Sequence, residues 1–417
     1  MKIVSRPALV LALMLGTAAT GAMIATPAVA KEKKEAKGAE PKLSKEARPL
    51  LAAAQTALGA NDFATASAKL TEAQGVASTP DDKFYIGQLL YQVGQKQNDQ
   101  ATQMKGVELM TDSGSELAKA NLDQMYLMQA QAAMNAKDYG KAEGLLTKAN
   151  ELKPDPNNMV ALAEIKVGLK KNAEAMQLVE QAIAAKKAAG QQVDENWYKR
   201  ALSIAYTAKD APNTVKWGQL WVQAFPTPSN WRNALFSYRD VSALDKESEL
   251  DLNRLARAAK ALNGERDYYE YADYALQKGL PAEAKAVIDE GYAAKMLDAS
   301  NKAATEIRTL AAPKVASDKA SLPGTEKTAR AGANGRIALN TADAYLGYAD
   351  YAKAADLYKV ALQKGGVDAN VVNTRLGIAL ALLGQKDAAK QAFATVTGVR
   401  QPLAQYWTIW ADQAPAA

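Results

Sequence analysis

The sequence predicts an all-α fold of about nine helical hairpins, some of them degenerate, followed by a C-terminal capping helix. Apolar residues make up 48% of the 417 residues, and the helix formers Ala, Leu, Lys, Glu and Gln are abundant. This composition is typical of helices that pack closely through small side chains. A recurring unit, clearest at 123–156, places two short amphipathic stretches one after the other. Together these features favour a row of stacked hairpins.

The first thirty residues predict a secretory signal peptide. A basic start precedes an apolar stretch at 8–16, and small residues at 28–30 supply a cleavage site. We expect cleavage between Ala30 and Lys31, which would leave the mature protein periplasmic in a Gram-negative bacterium, or secreted. Because the apolar stretch is short for a bilayer, no stable membrane span is expected after cleavage. An uncleaved anchor remains the alternative.

The chain contains no cysteine and no histidine. Without cysteine there are no disulfides, no Cys-type zinc sites and no lipoprotein attachment. Without histidine the commonest general base and metal ligand are missing. No phosphate-binding glycine loop, metal-spaced acidic loop or nucleophile elbow is present. We therefore expect no enzymatic activity, no cofactor and no metal.

The formal net charge of +6 lies mostly in the signal peptide and in the lysine-rich arm at 31–46. This arm has almost no large apolar residue, so we predict a charged, disordered segment. It is either a solvated spacer or a weak electrostatic tether to anionic lipid or polysaccharide. The near-neutral remainder argues against a nucleic-acid groove, which needs a concentrated basic face.

Residues 47–320 predict the helical-repeat array. Apolar positions recur at helical spacing in seven pairs, at 47–73, 81–112, 123–156, 157–189, 194–228, 229–264 and 265–298. In the first pair the turn falls at 59–62, and in the second we place it near Gly94. Pro212 suits the first turn of a helix, where its missing N–H has no partner anyway. The pair at 229–264 is degenerate.

The remaining chain predicts an interruption and then more hairpins. A longer helix at about 299–312 should end by Pro313, and the Pro, Gly and charge of 321–335 predict a linker or loop. Residues 336–417 then supply two further pairs and a last helix at 403–412, which would cap the open end of the core. Equivalent positions recur every 33 to 35 residues: Tyr139 with Asn172, and Tyr351 with Lys386.

This unit resembles the tetratricopeptide repeat (TPR) family, whose repeat of about 34 residues carries small and aromatic residues at fixed positions, then a proline. The residues that carry the resemblance are Tyr139, Ala142, Ala149 and Pro154; Tyr345, Tyr351, Ala354, Tyr358 and Ala361; and Leu376, Gly377, Gly384, Ala389 and Phe393. It touches most of 47–403 and is weak at 194–264 and 299–335, where other helical-hairpin repeats remain possible. The resemblance implies a right-handed superhelical solenoid whose first helices line a concave groove for peptides or protein surfaces.

If the resemblance holds, the groove is lined by first-helix residues that face away from the second helix. The candidates are Leu127, Gln131, Met134, Arg266, Tyr269, Asp273, Arg336, Leu339, Asp343 and Leu346. The Lys, Asn and Arg set with which some family members hold a terminal carboxylate is not found in adjacent repeats. A mixed apolar and polar groove for an extended or helical protein segment fits better.

Two further groups of residues have two interpretations each. Four tryptophans, Trp197, Trp217, Trp221 and Trp231, fall within 35 residues. They either fill the core of degenerate hairpins or form an exposed aromatic platform for a partner or a sugar ring. The alternating acidic residues at 245–251 are interpreted as a solvated helix face.

These features favour a non-enzymatic scaffold or adaptor in the bacterial cell envelope. Its partner would be an envelope protein or peptide segment bound in the groove. One alternative is a glycan or peptidoglycan binding module that uses the tryptophan-rich segment 197–238. Another is an auxiliary subunit of an export or secretion complex. The oligomeric state stays open.

Overall fold

Every regular element in the described residues of this computed structural model, 41–298 and 300–414, is a helix. The first ten are α1 Ala47–Gly59, α2 Phe63–Val76, α3 Pro80–Gln97, α4 Gln100–Thr111, α5 Leu122–Asn135, α6 Tyr139–Leu152, α7 Pro156–Gly168, α8 Asn172–Ala188, α9 Glu195–Thr207 and α10 Ala211–Ala224. The other α-helices are α11 Pro228–Val241, α12 Lys246–Ala258, α13 Glu265–Gln277, α14 Pro281–Ala293, α15 Lys302–Ala331, α16 Arg336–Gly347, α17 Tyr351–Lys364, α18 Ala369–Leu382, α19 Lys386–Ala394 and α20 Gln401–Gln413. Two short 3₁₀ helices, Glu116–Asn121 and Gly398–Arg400, complete the regular elements. The predicted signal peptide and residues 31–40 of the predicted arm lie outside the described residues.

Consecutive helices form nine pairs, with α15 and α20 outside the pairing. The predicted equivalences are confirmed, because Tyr139 and Asn172 begin α6 and α8, and Tyr351 and Lys386 begin α17 and α19. The prediction of an all-α, TPR-like array of about nine hairpins with a C-terminal helix is therefore confirmed.

Eight of the nine pairs share one turn geometry. Each has a residue with positive φ in the turn: Asn61, Asn98, Lys137, Lys170, Lys209, Gly279, Ala349 and Gly384. Most second helices then begin at an Asp cap, such as Asp62 and Asp138, whose carboxylates accept a backbone N–H at 3.0 Å. The α11–α12 connection, 242–245, has no positive φ, and these two helices pack together only weakly. The degenerate pair thus interrupts a series of otherwise regular hairpins.

Glycines allow the α3 and α4 helices to pack closely against each other. A Cβ added at Gly87 would lie 2.6 Å from the carbonyl oxygen of Gly106, and one at Gly94 would lie 2.5 Å from the backbone nitrogen of Gln103. Helix α3 runs through Gly94 to Gln97, so the predicted turn near Gly94 is wrong. This glycine permits close approach of two helices rather than a chain reversal.

Replacing Gly87 with alanine is expected to lower the free energy of unfolding by about 1 to 3 kcal/mol, because backbone atoms cannot move aside for the new methyl group. Gly144 is the matched control: it lies inside α6, and an added Cβ there meets nothing within 4 Å. Gly144→Ala should instead stabilise by about 0.5 to 1 kcal/mol. Urea unfolding of both variants measures the contrast, and equal effects would contradict the close approach.

Helix α15 runs unbroken from Lys302 to Ala331 and contains Pro313 and Pro323. The predicted end at Pro313 is therefore wrong, and only 332–335 of the predicted linker lie outside a helix. Both prolines are exposed. The opposite face is held by buried side chains at helical spacing: Ala304, Ile307, Ala311, Leu322 and Ala329. Tertiary packing along this face outweighs the hydrogen bonds that the prolines remove.

The hydrophobic core differs between the two halves of the chain. From α1 to α10 the buried side chains form several small clusters, each shared by neighbouring helices. From Val222 to Ala411 they form one continuous core. Helix α20 accounts for this continuity, because it contacts α10, α12, α18 and α19. The predicted cap therefore packs against helices nearly two hundred residues earlier in the chain.

Candidate binding surfaces

The first helices α5 and α7 present a partly exposed apolar surface. Of the candidates on α5, Gln131 is exposed, while Leu127 and Met134 are half-buried against the local core. On α7, Val160 and Val167 are likewise half-buried. Such side chains leave part of their surface open to a partner, and Met and Gln can adapt to its shape.

From α7 onward, polar contacts connect the side chains of successive first helices. Arg200 of α9 forms a bidentate ion pair with Glu164 of α7, with both N···O distances 2.6 Å. The Tyr206 hydroxyl donates to Asp240 of α11 at 3.2 Å, and Tyr206 is 40% exposed. These contacts fix the spacing of α7, α9 and α11 and hold the surface in one arrangement before any partner binds.

The candidates on α13 lie on the next part of this surface. Arg266 is exposed and pairs with Glu270 at 2.6 Å, while Tyr269 and Asp273 are half-buried. Asp273 accepts a hydrogen bond from Gln277 at 2.6 Å. Beside them, the guanidinium carbons of Arg232 and Arg239 lie 4.3 and 4.6 Å from the Phe236 ring centroid. This part of the surface is charged, but its charges are largely satisfied within the chain.

On α16 the structure separates the four candidates. Arg336 is exposed and Leu339 is half-buried, whereas Asp343 and Leu346 are only 3% and 6% exposed. The prediction that Asp343 and Leu346 line an open groove is therefore wrong. Asp343 is held by Arg375 of α18 at 2.8 Å, and Leu346 belongs to the continuous core of the C-terminal half, so both side chains lie inside this half rather than along an open groove.

All four tryptophans of the proposed aromatic platform are buried. Trp197, the most exposed of them, reaches 8%. The Trp221 indole N–H donates to Glu195 at 2.9 Å, and Trp231 packs against Tyr406 of α20. The interpretation as an exposed platform is contradicted by this burial, and the interpretation as core filling agrees with it. In regular hairpins, alanines let the helices approach closely. In these degenerate hairpins, large aromatic rings fill the wider space between the helices.

The structure also contains a buried ionic network that the sequence analysis missed. Its centre is Asp251 of α12, which has no exposed surface. The Asp251 carboxylate accepts hydrogen bonds from Arg254 at 2.7 Å, from Arg375 of α18 at 3.3 Å, and from Arg400 just before α20. The last two partners lie 124 and 149 residues away in sequence. One carboxylate thus joins three distant parts of the C-terminal half.

Two further buried carboxylates extend the network outward. Arg254 holds Glu283 of α14 through two bonds of 2.8 and 2.6 Å, and the Tyr271 hydroxyl donates to Glu283 at 2.7 Å. Arg375 donates to Asp343 at 2.8 Å. All five side chains are buried. A buried charge is tolerated only when it is paired and hydrogen-bonded in this way.

The pKa values of the network's carboxyl groups follow from this competition. Burial disfavours the charged form of Asp251, but the charges of Arg375, Arg400 and Arg254 outweigh burial and lower its pKa. Burial is likewise outweighed by Arg254 at Glu283, whose pKa is lowered. At Asp343 burial prevails over the attraction of Arg375, and the pKa is raised. The arginines therefore compensate the burial of the Asp251 charge better than that of the Asp343 charge.

The interpretation of 245–251 as a solvated face is consequently wrong at Asp251. The available signal was its setting, because Leu250, Leu252 and Leu255 surround it within a single helix. Among residues 41–298 and 300–414, no group of three or more acidic side chains is placed to hold a metal ion. None of the helices described has the length and hydrophobicity needed to cross a bilayer.

No protein-family model matches the sequence, and a search of curated proteins gave no match. Among solved structures, the chain is similar to the TPR2AB domain of yeast Sti1 in complex with pHSP90, at 13% identity over 70% of this chain and 100% of that chain, with a TM-score of 0.26. It is also similar to Pseudomonas aeruginosa PilF, at 13% identity over 66% and 90%, TM-score 0.22, and to the TPR domain of P58(IPK), at 14% identity over 81% and 98%, TM-score 0.25. The chain's own helices and contacts, rather than these matches, establish its fold.

Proposed function

We propose that this protein is a non-enzymatic scaffold of the bacterial cell envelope that binds a segment of a partner protein along its first helices. The observation that carries the proposal is the surface shared by α5, α7 and α9. It is apolar at α5 and α7 and becomes polar at α9, where Arg200 is fixed by Glu164. A surface with both characters suits an extended or helical protein segment.

Rigidity supports the same proposal. When a surface is already ordered before binding, no conformational entropy is lost in ordering it, and the partner binds more tightly. The hairpins from α1 to α10 pack with their neighbours, so each helix is held in place locally. The C-terminal half, whose inner side chains form a closed core, offers less of its first-helix surface. We therefore assign partner binding to the surface formed by α5, α7 and α9, and we place α13 at the edge of that surface.

The envelope location rests on the predicted signal peptide at 1–30, which lies outside the described residues. The glycan-binding alternative loses its candidate platform, since the four tryptophans are buried. The role as an auxiliary subunit of an export complex remains an alternative. Its discriminating test is deletion of 31–45, which would abolish membrane association only if that arm is a tether.

Photo-crosslinking in the native host tests the proposal. A photoreactive residue placed at Gln131 or Tyr206, both exposed on first helices, is expected to crosslink mainly to one envelope protein. Thr147, exposed on the second helix α6, is the matched control and should give little of the same product. Crosslinked partners are identified by mass spectrometry.

Two outcomes would contradict the proposal. Equal crosslinking from Gln131 and Thr147 would remove the first-helix surface as the binding face. No protein product, together with retention of the protein on isolated cell wall, would favour glycan binding through another surface.

A further inference from the structure

A cleft of about 630 Å³ opens between α12, α14 and α16 in the C-terminal half. None of its lining residues comes from α5, α7 or α9, the helices assigned to partner binding. Its volume is within the range of pockets that hold small organic ligands. Its lining combines aliphatic and aromatic side chains, including Leu346, Leu382, Tyr271 and Tyr351, with several charged groups.

The floor of the cleft is rigid because the buried network reaches it. Arg254, Glu283 and Tyr271 line the cleft and are at most 5% exposed. Their polar atoms satisfy one another, with Arg254 bound to Glu283 and the Tyr271 hydroxyl donating to Glu283. These groups fix the shape of the cleft and leave little capacity to bind a ligand themselves.

The rim, in contrast, carries donors without partners. Arg257 uses its Nε to bind Glu290 at 2.6 Å, and its two terminal nitrogens make no hydrogen bond within the described residues. Neither the Lys260 ammonium nor the Tyr351 hydroxyl has a hydrogen-bond or ion-pair partner there. All three groups line the same cleft, and the Tyr351 hydroxyl lies within range of the charges of both Arg257 and Glu283.

We infer that this cleft binds an organic acid, in which a carboxylate meets Arg257, Lys260 and Tyr351 and an aromatic or aliphatic body rests on the apolar wall. A guanidinium with two free nitrogens matches the two oxygens of a carboxylate. Tyr351 supplies a third donor, and its ring borders the apolar wall.

The charge balance at the cleft favours an anion over a cation. Four cationic side chains line it, against three carboxylates. All three carboxylates are already engaged: Glu283 by Arg254, Glu290 by Arg257, and Asp289 by Lys285 and by Arg308 from outside the cleft. The cationic excess resides in Lys260, which no acidic side chain neutralises among the described residues. An incoming carboxylate would therefore encounter free donors rather than repulsion.

The test uses 3-phenylpropionate, which has a carboxylate and an aromatic body of suitable size, and ligand-observed NMR titration of the protein. Its uncharged amide, 3-phenylpropionamide, is the ligand control. We expect saturable binding of the acid and at least about tenfold weaker binding of the amide, since hydrogen bonds to charged groups are the stronger ones. The tripeptide Gly-Gly-Phe, with a free or an amidated C-terminus, distinguishes a free acid from a peptide terminus as the source of the carboxylate.

Variants locate the site. Arg257→Gln should weaken binding of the acid at least about tenfold, and Lys260→Ala by a smaller factor, because Lys260 is exposed and solvent screens an ion pair with it. Tyr351→Phe keeps the ring and should reduce affinity about two- to tenfold. Arg330→Gln is the matched control: Arg330 also pairs with a glutamate and is comparably exposed, 44% against 34%, but it lies at the end of α15 and does not line the cleft. It should bind the acid like the unaltered protein.

Tighter binding by the free tripeptide than by 3-phenylpropionate would support the inference and identify a peptide terminus as the ligand, and the reverse order would identify a free acid. No saturable binding of either, equal affinity for acid and amide, or an unchanged affinity in both Arg257→Gln and Lys260→Ala would overturn it. Since Lys260 is exposed, its variant remains informative even if Arg257→Gln unfolds. None of these results depends on partner capture by α5, α7 and α9.

Discussion

Replacing Asp251 with asparagine is expected to lower the free energy of unfolding by about 3 to 5 kcal/mol at neutral pH. The Asp251 carboxylate is fully buried and receives hydrogen bonds from Arg254, Arg375 and Arg400. In the variant three guanidinium groups surround a neutral amide. The cost of burying their charges remains, while much of the attraction that offsets this cost is lost.

The measurement is urea unfolding followed by circular dichroism, with hydrogen exchange of α12 amides as a local probe. The matched control is Glu72→Gln, which removes a carboxylate from an exposed pair with Lys69, the glutamate side chain being 51% exposed. Such pairs contribute about 0.2 to 1 kcal/mol. If Asp251→Asn cost no more than this control, Asp251 would not be the centre of the network.

The effect of Asp251→Asn should also depend on pH in a defined direction. The folded-state pKa of Asp251 is lowered, so its charge contributes full stability above about pH 4, the pKa of an unfolded aspartate. That contribution is lost as pH falls through the lowered folded-state value. The difference between the protein and its variant should therefore shrink in acid. Asp343, whose pKa is raised, contributes with the opposite sign.

The hairpins could be predicted because each is encoded locally. A hairpin and its turn occupy fewer than about forty residues, and apolar spacing, turn residues and helix starts are all read within that window. Hence the starts of α6, α8, α17 and α19 fall at the positions predicted to be equivalent. Gly94 shows the limit, because the same residue type also serves close packing between helices.

Helix α15 shows a second limit. Prolines at 313 and 323 are reliable helix breakers on average, and they predicted an end and a linker. The competing signal was the stripe formed by Ala304, Ile307, Ala311, Leu322 and Ala329, which keeps helical spacing across both prolines. Packing on that stripe decides the outcome, and its strength depends on α14 and α16, which the sequence pattern of α15 does not contain.

The buried network and the closed core were beyond prediction for a related reason. Charged residues in helices are usually solvated, and whether Asp251 meets Arg375 depends on how the chain returns after more than a hundred residues. The same return moves Asp343 and Leu346 from a predicted groove into the core. The spacing of residues within a hairpin thus identifies the hairpin. Which side chains of the first helices remain accessible depends instead on how distant hairpins pack together.

Replacing Trp407 with alanine is expected to cost about 3 to 5 kcal/mol, and the loss should be confined to the C-terminal half. Trp407 is fully buried, stacks on Phe393 with ring centroids 6.5 Å apart, and donates its indole N–H to the Asp251 carbonyl oxygen at 3.2 Å. It therefore connects α20 to α12 and to α19. Trp410, partly buried on the same helix, is the matched control and should cost less when replaced with alanine.

A second variant tests the packing of α20 against α10 without shortening a core side chain. A Cβ added at Gly218 of α10 would lie 2.2 Å from the Tyr406 hydroxyl oxygen, so Gly218→Ala should loosen α20 from α10. Hydrogen exchange should accelerate in α10, α12, α18, α19 and α20 for Trp407→Ala, and in α10 and α20 for Gly218→Ala. Exchange in α1 to α6 should be unchanged, because the small clusters of those pairs do not include α20. In a repeat array, each pair is coupled mainly to its neighbours, so a local loosening should stay local. Equal acceleration of hydrogen exchange along the whole chain would contradict this expectation and would mean that the array unfolds as one unit.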